Sequence, residues 1–241
     1  MSAPEVVVHA DADALATAAA ARLVAALSSV QRAKGSVSVV LTGGGTGISV
    51  LRAVRAAAST LDWSRVDVYW GDERFLPAGH ADRNETQARE ALLDHVAVDP
   101  ARVHPMAPSD GDLGDDPDAA AAAYAELLGD SPVFDVLLLG VGEEGHTLSV
   151  FPDSPAVHST EPVVAVRDCP KPPPTRISLT LPTARLATQV WLMATGAGKA
   201  GPVGAAVSGV SEVDIPAAGA RGVEATVWFL DEAAAAKTAR S

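Results

Sequence analysis

One histidine with acidic neighbours, at the exit of a glycine-rich turn, carries the most pointed chemistry in this sequence. The stretch reads FDVLLLGVGEEGHTLSVFP from Phe134 to Pro152. His146 can take and return a proton near neutral pH, and the carboxylates of Glu143 and Glu144 stand close enough in sequence to orient its ring. Val136 to Leu139 form an unbroken apolar run, which predicts a strand buried on both faces of a parallel sheet. Gly140, Gly142 and Gly145 predict a sharp turn with close backbone approach, and Thr147 or Ser149 a short helix before Pro152. Ligands of open α/β sheets bind beyond the carboxyl ends of the strands, which is where this histidine would stand.

Two other readings of the stretch are weaker. Residues 140 to 145 spell the letters GxGxxG of a dinucleotide fingerprint, but Glu143 and Glu144 would then face a pyrophosphate, and no long helix follows. A purely structural histidine is the other alternative. Flanking carboxylates and the sheet-end position argue against it.

A second set of residues could meet an anion. Val37 to Leu41 predict a strand running into Thr42-Gly43-Gly44-Gly45-Thr46 and then an amphipathic helix from about Gly47 to Ala58. Strand, glycine-rich turn and helix start, in that order, present free backbone N–H groups to an anion. The Gly-Lys-Ser/Thr of a Walker loop is absent, and Gly47-Ile48-Ser49-Val50-Leu51 lacks the last glycine of a nucleophile elbow. A strand from Val66 to Trp70 ends in Gly71-Asp72-Glu73-Arg74. Charges there must be paired or used: Arg74 could offer its fork to a phosphate while Asp72 and Glu73 hold local groups, or the three could form an internal ion-pair cluster. Arg176 falls in an alternating, strand-like stretch, 175 to 180. Lys199 follows the strand Val190 to Ala194 in another glycine-rich turn.

These groups need a frame, and the rest of the chain predicts an α/β one. Glu5 to His9 read as an edge strand, and Asp11 or Asp13 as the cap of an alanine-rich helix that Gly35 stops after Lys34. Asn84 and Thr86 open a helix reaching about Leu93, and another spans Ala119 to Leu128. Between them, SDGDLGDDPD from Ser109 to Asp118 fails the EF-hand pattern, with Asp115 and Ala121 where glycine and glutamate are required, and reads as a solvated loop. A proline-rich loop, a short helix near Thr183 to Ala187, a strand from Thr226 to Leu230 and a helix from Asp231 complete the chain. No repeat or linker is visible, so residues 1 to 241 read as a single domain.

The 241 residues carry a net charge of −12, with 48% apolar and 4% aromatic residues. That charge argues against general attraction to nucleic acid or an anionic membrane, so any anionic ligand must be met by a local basic cluster. The opening MSAPEVVVHADAD lacks the pattern of a signal peptide, and no apolar run approaches the length expected of a bilayer span. A lone cysteine, Cys169, excludes an intrachain disulfide and suits a reducing compartment. A cytoplasmic protein is expected.

Taken together, TGGGT at 42 to 46, GDER at 71 to 74 with Asn84, LLLGVGEEGHTLSVFP at 137 to 152, the Arg176 strand and Gly196-Ala197-Gly198-Lys199 resemble the 6-phosphogluconolactonase family over nearly the whole chain. The resemblance implies a doubly wound, mostly parallel sheet with helices on both faces, a fold shared with glucosamine-6-phosphate deaminases and isomerases. It implies hydrolysis of 6-phospho-D-glucono-1,5-lactone to 6-phospho-D-gluconate in the oxidative pentose phosphate pathway, with no cofactor. His146 would be the general base and Glu144 its carboxylate partner. Gly43, Gly44, Gly45, Thr46, Asp72, Arg74, Asn84, Arg176 and Lys199 would bind the substrate. No HExxH, cysteine cluster or second nearby histidine suggests a metal. The expected partner is a small sugar phosphate lactone, and the expected state a monomer or weak homo-oligomer.

Departures are specific: Glu144-Gly145-His146 stands where the family usually has Asp-Gly-His, and Leu148 and Val150 where Ala and Leu are commoner. The deaminases follow their histidine with an Asn-Glu-Pro block, whereas here the residues are Val150-Phe151-Pro152. Sugar-phosphate sensors that reuse the fold carry a helix-turn-helix ahead of it, and here the first strand begins at Glu5.

Overall fold

A computed structural model describes residues 3–57, 61–130, 132 and 134–238. In chain order the elements are β1 (Glu5–His9), α1 (Ala12–Lys34), β2 (Val37–Leu41), α2 (Gly44–Ala57), β3 (Val66–Trp70), β4 (Asp72–Arg74), α3 (Asn84–Ala91), β5 (Val103–His104), α4 (Pro117–Leu128), β6 (Val136–Gly140), β7 (Val163–Val166), β8 (Arg176–Leu179), α5 (Leu181–Ala184), β9 (Gln189–Ala194), α6 (Ala200–Val207) and β10 (Ala225–Asp231). Seven strands form one parallel sheet in the order β1-β10-β9-β6-β2-β3-β5. From β2 the chain winds outward through β3 to β5, and from β6 it winds the other way through β9. The winding reverses between β2 and β6, and the loops leaving those two strands diverge to open a crevice at their carboxyl ends.

Alternation along the strands divides the core between the two faces. Val39, Leu41, Val136, Leu138, Trp191, Met193, Val227 and Phe229 meet α1, α2 and α3 on one side. Val40, Leu137, Leu139, Val190, Leu192, Trp228 and Leu230 meet α4, α6 and a second, smaller sheet on the other. That second sheet is antiparallel, in the order β4-β8-β7. The sequence reading anticipated neither this sheet nor the strand character of Asp72 to Arg74.

Helix α1 begins where Asp11 Oδ1 accepts the Ala14 N–H at 2.8 Å and ends where Gly35, at φ 85°, donates to Gln31 O. A window of 18 of its 23 residues has a mean hydropathy of 1.3, long and apolar enough to cross a bilayer, contrary to the expectation that no segment would be. Its alanine content explains the value, and here its apolar side, with Leu15, Leu23 and Leu27, is buried against the sheet. Other boundaries shift modestly. α2 starts three residues before the expected Gly47, while Ala58, its expected end, lies outside the described residues. α4 starts at Pro117 because Asp116 caps Asp118 and Ala119. α5 is shorter and earlier than expected, and among the described residues beyond Asp231 the helical structure is a 3-10 turn, Ala234–Lys237.

The start of α3 has an unusual support. Arg83 at its N-cap makes no side-chain cap. The caps come instead from Glu73, whose carboxylate accepts the N–H groups of Arg74 (2.8 Å), Asn84 (2.6 Å) and Glu85 (2.9 Å) and lies 3.7 Å from the buried Arg83 guanidinium. Burial pushes the Glu73 carboxyl up to about 7 against the pull of Arg83 and these three donors. Glu73→Ala would remove the acceptor of three N–H groups, the buried one of Asn84 among them, and leave Glu85 as the ionic partner of Arg83, and is expected to cost about 2 kcal/mol or more. Urea unfolding checks this, and a loss below about 1 kcal/mol would contradict it.

Candidate active site

A cleft of about 390 Å³ opens at the carboxyl ends of β2, β6 and β9. Gly43, Gly44, Gly45, Thr46, Asp72, Arg74, Asn84, His146, Arg176 and Lys199, drawn from positions far apart in the chain, all line it. Glu144 stands behind His146 and does not face the opening.

The histidine is held by a compact loop. Gly142 N–H donates to His146 O at 2.8 Å, and Thr147 Oγ1 donates back to Gly140 O at 2.9 Å. Thr147 and Ser149 are fully buried and start no helix, contrary to expectation. Leu148 takes a positive φ of 57°, which breaks any helical run, and its Cδ2 occupies the space that a side chain on Gly71 would need. Ser149 Oγ donates to Asp72 Oδ2 at 2.7 Å, tying the loop to β4.

The His146 ring packs on Phe151 with 4.4 Å between centroids. Glu144 Oε1 lies 3.1 Å from Nδ1, but too obliquely for a hydrogen bond, so Nδ1 is buried with an ionic neighbour and no hydrogen-bonded one. Nε2 is left open. Burial holds the His146 pKa below the usual histidine value, assisted by the Lys171 cation and opposed by the charges of Glu144 and Asp72. Glu144 also accepts from Lys171 Nζ at 2.8 Å, and its own pKa is lowered: burial pushes it up, and the bonds and charges of Lys171 and His146 outweigh that.

At the other wall, β4 and β8 pair with Arg74 directly opposite Arg176. Like charges facing each other across a ladder are unfavourable unless an anion or a buried carboxylate offsets them. Asp72 partly does so, raising Arg176 while burial and Arg74 lower it. Both arginines are partly committed. Arg74 Nη1 donates to Asp82 O (2.9 Å) and Asn84 Oδ1 (2.7 Å), leaving Nε buried without a partner. Arg176 donates through Nε to Pro173 O (2.9 Å) and through Nη2 to Lys171 O (3.1 Å) and Pro172 O (3.2 Å), leaving Nη1 uncommitted. Asn84 is engaged at both ends, Oδ1 by Arg74 and Nδ2 by Asp72, and so tethers the two.

The TGGGT turn supplies the remaining wall. α2 begins at Gly44 with no acidic residue in its first turn, so its leading N–H groups face the cleft unopposed. Gly43 is required for space, because a Cβ there would lie 1.8 Å from Asn84 Oδ1. Thr46 Oγ1 meets Thr195 Oγ1 at 3.0 Å, joining the turn to the end of β9. The Lys199 ammonium has no ion pair or hydrogen bond among the described residues, and burial and the Lys171 charge lower its pKa. Sequence reasoning missed Thr195, Ser149 and Lys171. Only Thr195, directly after a strand and before Gly196, carried a usable signal.

The family model of glucosamine-6-phosphate isomerases/6-phosphogluconolactonase matches residues 10–228. The chain belongs to the glucosamine-6-phosphate isomerase/6-phosphogluconolactonase family. Among similar proteins, the 6-phosphogluconolactonase of Streptomyces coelicolor is 53% identical, over 99% of this chain and 96% of that one. The 6-phosphogluconolactonase of Mycobacterium tuberculosis is 52% identical over 94% and 95% of the two chains. The solved structure of 6-phosphogluconolactonase from Trypanosoma brucei has a TM-score of 0.84 at 28% identity, covering 98% of this chain and 99% of that one.

Within this glucosamine-6-phosphate isomerase/6-phosphogluconolactonase family member, Gly142 is the least replaceable residue of the histidine loop. A Cβ there would lie 1.9 Å from His146 Nδ1 and 2.8 Å from Glu144 Oε2. Gly142→Ala is therefore expected to lower kcat about 100-fold or more by displacing the ring, with the melting temperature shifted by only a few degrees. Wild-type kcat in this variant would show that the ring position does not matter.

Proposed function

We propose that the chain hydrolyses 6-phospho-D-glucono-1,5-lactone to 6-phospho-D-gluconate with His146 as general base. The observation that carries the reading is the ring of His146, with Nδ1 buried against Glu144 and Nε2 open toward a cleft lined by uncommitted cationic donors. Nε2 takes a proton from water as the water oxygen attacks the lactone carbonyl carbon. The carbonyl becomes an oxyanion. When it collapses, the bond to the ring oxygen breaks, and the imidazolium returns its proton to that leaving oxygen. Glu144 favours the tautomer with the proton on Nδ1 and stabilises the imidazolium that forms in between. The N–H groups at the start of α2, with Arg74, Arg176 and Lys199, divide between the 6-phosphate and the oxyanion.

Deamination of glucosamine 6-phosphate is the nearest rival and needs a further carboxylate after the histidine. Val150 and Phe151 are buried there, and the aromatic ring lies against His146, so that position is apolar.

His146→Ala is expected to lower kcat by about 10²- to 10⁴-fold once spontaneous lactone hydrolysis is subtracted, with the fold retained by circular dichroism. A loss of only a few-fold would remove His146 as base. The base must be neutral to act, and its pKa lies below the usual value. kcat/KM should therefore be flat at neutral pH and fall only as pH drops below about 6.5. A fall that begins above pH 7 would contradict this. Glucono-1,5-lactone without its phosphate should have a far lower kcat/KM than the 6-phosphate, and equal values would sink the anion-site assignment.

A further inference from the structure

The Glu144 carboxylate is shared. Oε1 faces His146 Nδ1 at 3.1 Å, while Oε2 accepts from Lys171 Nζ at 2.8 Å. Lys171 comes from the proline-rich loop that follows β7, and that loop is pinned to β8: Arg176 donates to the carbonyls of Lys171, Pro172 and Pro173. Arg176, a buried residue, thus fixes the backbone that presents the lysine. The lysine side chain itself is 45% exposed and the glutamate 30%. An ion pair this open adds little to stability, so its interest lies in where it holds the carboxylate.

We propose that Lys171 is a positioning residue for the reaction, holding the Glu144 carboxylate by one oxygen so that the other stays beside His146 Nδ1. The proposal rests on the reading of His146 as base. It also accounts for the glutamate at position 144. A carboxylate one methylene longer than aspartate has more χ freedom and needs a second anchor to hold one geometry, and Lys171 is that anchor. Without it Glu144 would be free to swing into solvent or to turn toward Lys199, which already senses its charge.

Every charge known to bear on His146 is accounted for. Glu144 lies on its own loop and Asp72 on β4, and both favour the imidazolium; Lys171, on the proline-rich loop, opposes it. The Glu144 charge bears on His146 more strongly than the Lys171 cation, so removing Lys171 and letting the carboxylate swing away lowers the pKa of His146. The acid limb of the pH profile moves to lower pH, whereas loss of the cation with Glu144 still in place would move it to higher pH. A lysine that merely held the substrate phosphate would raise KM and leave the limb where it was.

The test is the pH dependence of kcat and kcat/KM for wild type, Lys171→Met and Lys171→Arg on 6-phosphogluconolactone, with His146→Ala alongside. Lys171→Met should move the acid limb to lower pH and lower kcat at pH 7.5 by about threefold or more, as expected when a transition-state interaction is lost, at an unchanged melting temperature. Lys171→Arg should restore the limb and most of kcat. A rise in KM alone, a limb unmoved or moved to higher pH, or a loss that Arg does not rescue would each overturn the proposal. If His146→Ala stays active the base assignment fails, whereas an inactive His146→Ala with an unmoved Lys171→Met limb defeats only the positioning role.

Discussion

Two buried carboxylates on one short strand hold the site together. Asp72 and Glu73 are 8% and 1% exposed, and water can repay little of the cost of removing their charges from solvent, so protein groups must do so. Glu73 answers by capping α3 and facing Arg83. Asp72 answers by accepting Ser149 Oγ from the histidine loop and Asn84 Nδ2 from α3, beside Arg176 of the small sheet. The loop, the helix and the second sheet are thereby fastened to residues 72 and 73. Loosening Asp72 would release the histidine loop and its tie to α3 together, and loosening Glu73 the start of α3.

The same economy sets the electrostatics of the cleft. Arg74 and Arg176 face each other in register, and Lys199 and Lys171 feel one another's charge. An arrangement that leaves cations mutually repelling while the chain carries a net charge of −12 is costly without an anion and favourable with one. On the opposite wall opposing pulls act on His146, with burial the strongest. Burial and Lys171 favour the neutral ring, and Glu144 and Asp72 favour the imidazolium. The base proposed here must be neutral at rest and charged in the middle of the reaction, and groups pulling in both directions serve each state in turn.

Much of this was legible in the sequence because parallel strands buried on both faces read as unbroken apolar runs. Val37 to Leu41, Val136 to Leu139 and Val190 to Ala194 announced themselves, and the glycine-rich or charged segments that follow them fell in the cleft as expected. The second sheet was not legible. Asp72 to Arg74 is three charged residues long, and its strand character comes from pairing with β8 about a hundred positions later. β5 has two residues. Lys171 was hidden for a related reason: a loop of prolines has no periodicity, and only Arg176's grip on three carbonyls brings the lysine to Glu144. Thr147 and Ser149 were misread because their hydroxyls suit a helix start. In the fold both are consumed by longer-range bonds to Gly140 and Asp72.

The central claim is that His146 rests as a neutral imidazole with its proton on Nδ1 and its Nε2 lone pair open to the cleft. Nitrogen-15 NMR of the intact protein, with the imidazole resonances assigned by comparison with His146→Gln and followed through a pH titration, reads tautomer and pKa together. The account predicts a neutral Nδ1–H ring at pH 7.5 that protonates only below the usual histidine range. An Nε2–H tautomer, or a ring already protonated at pH 7.5, would contradict it.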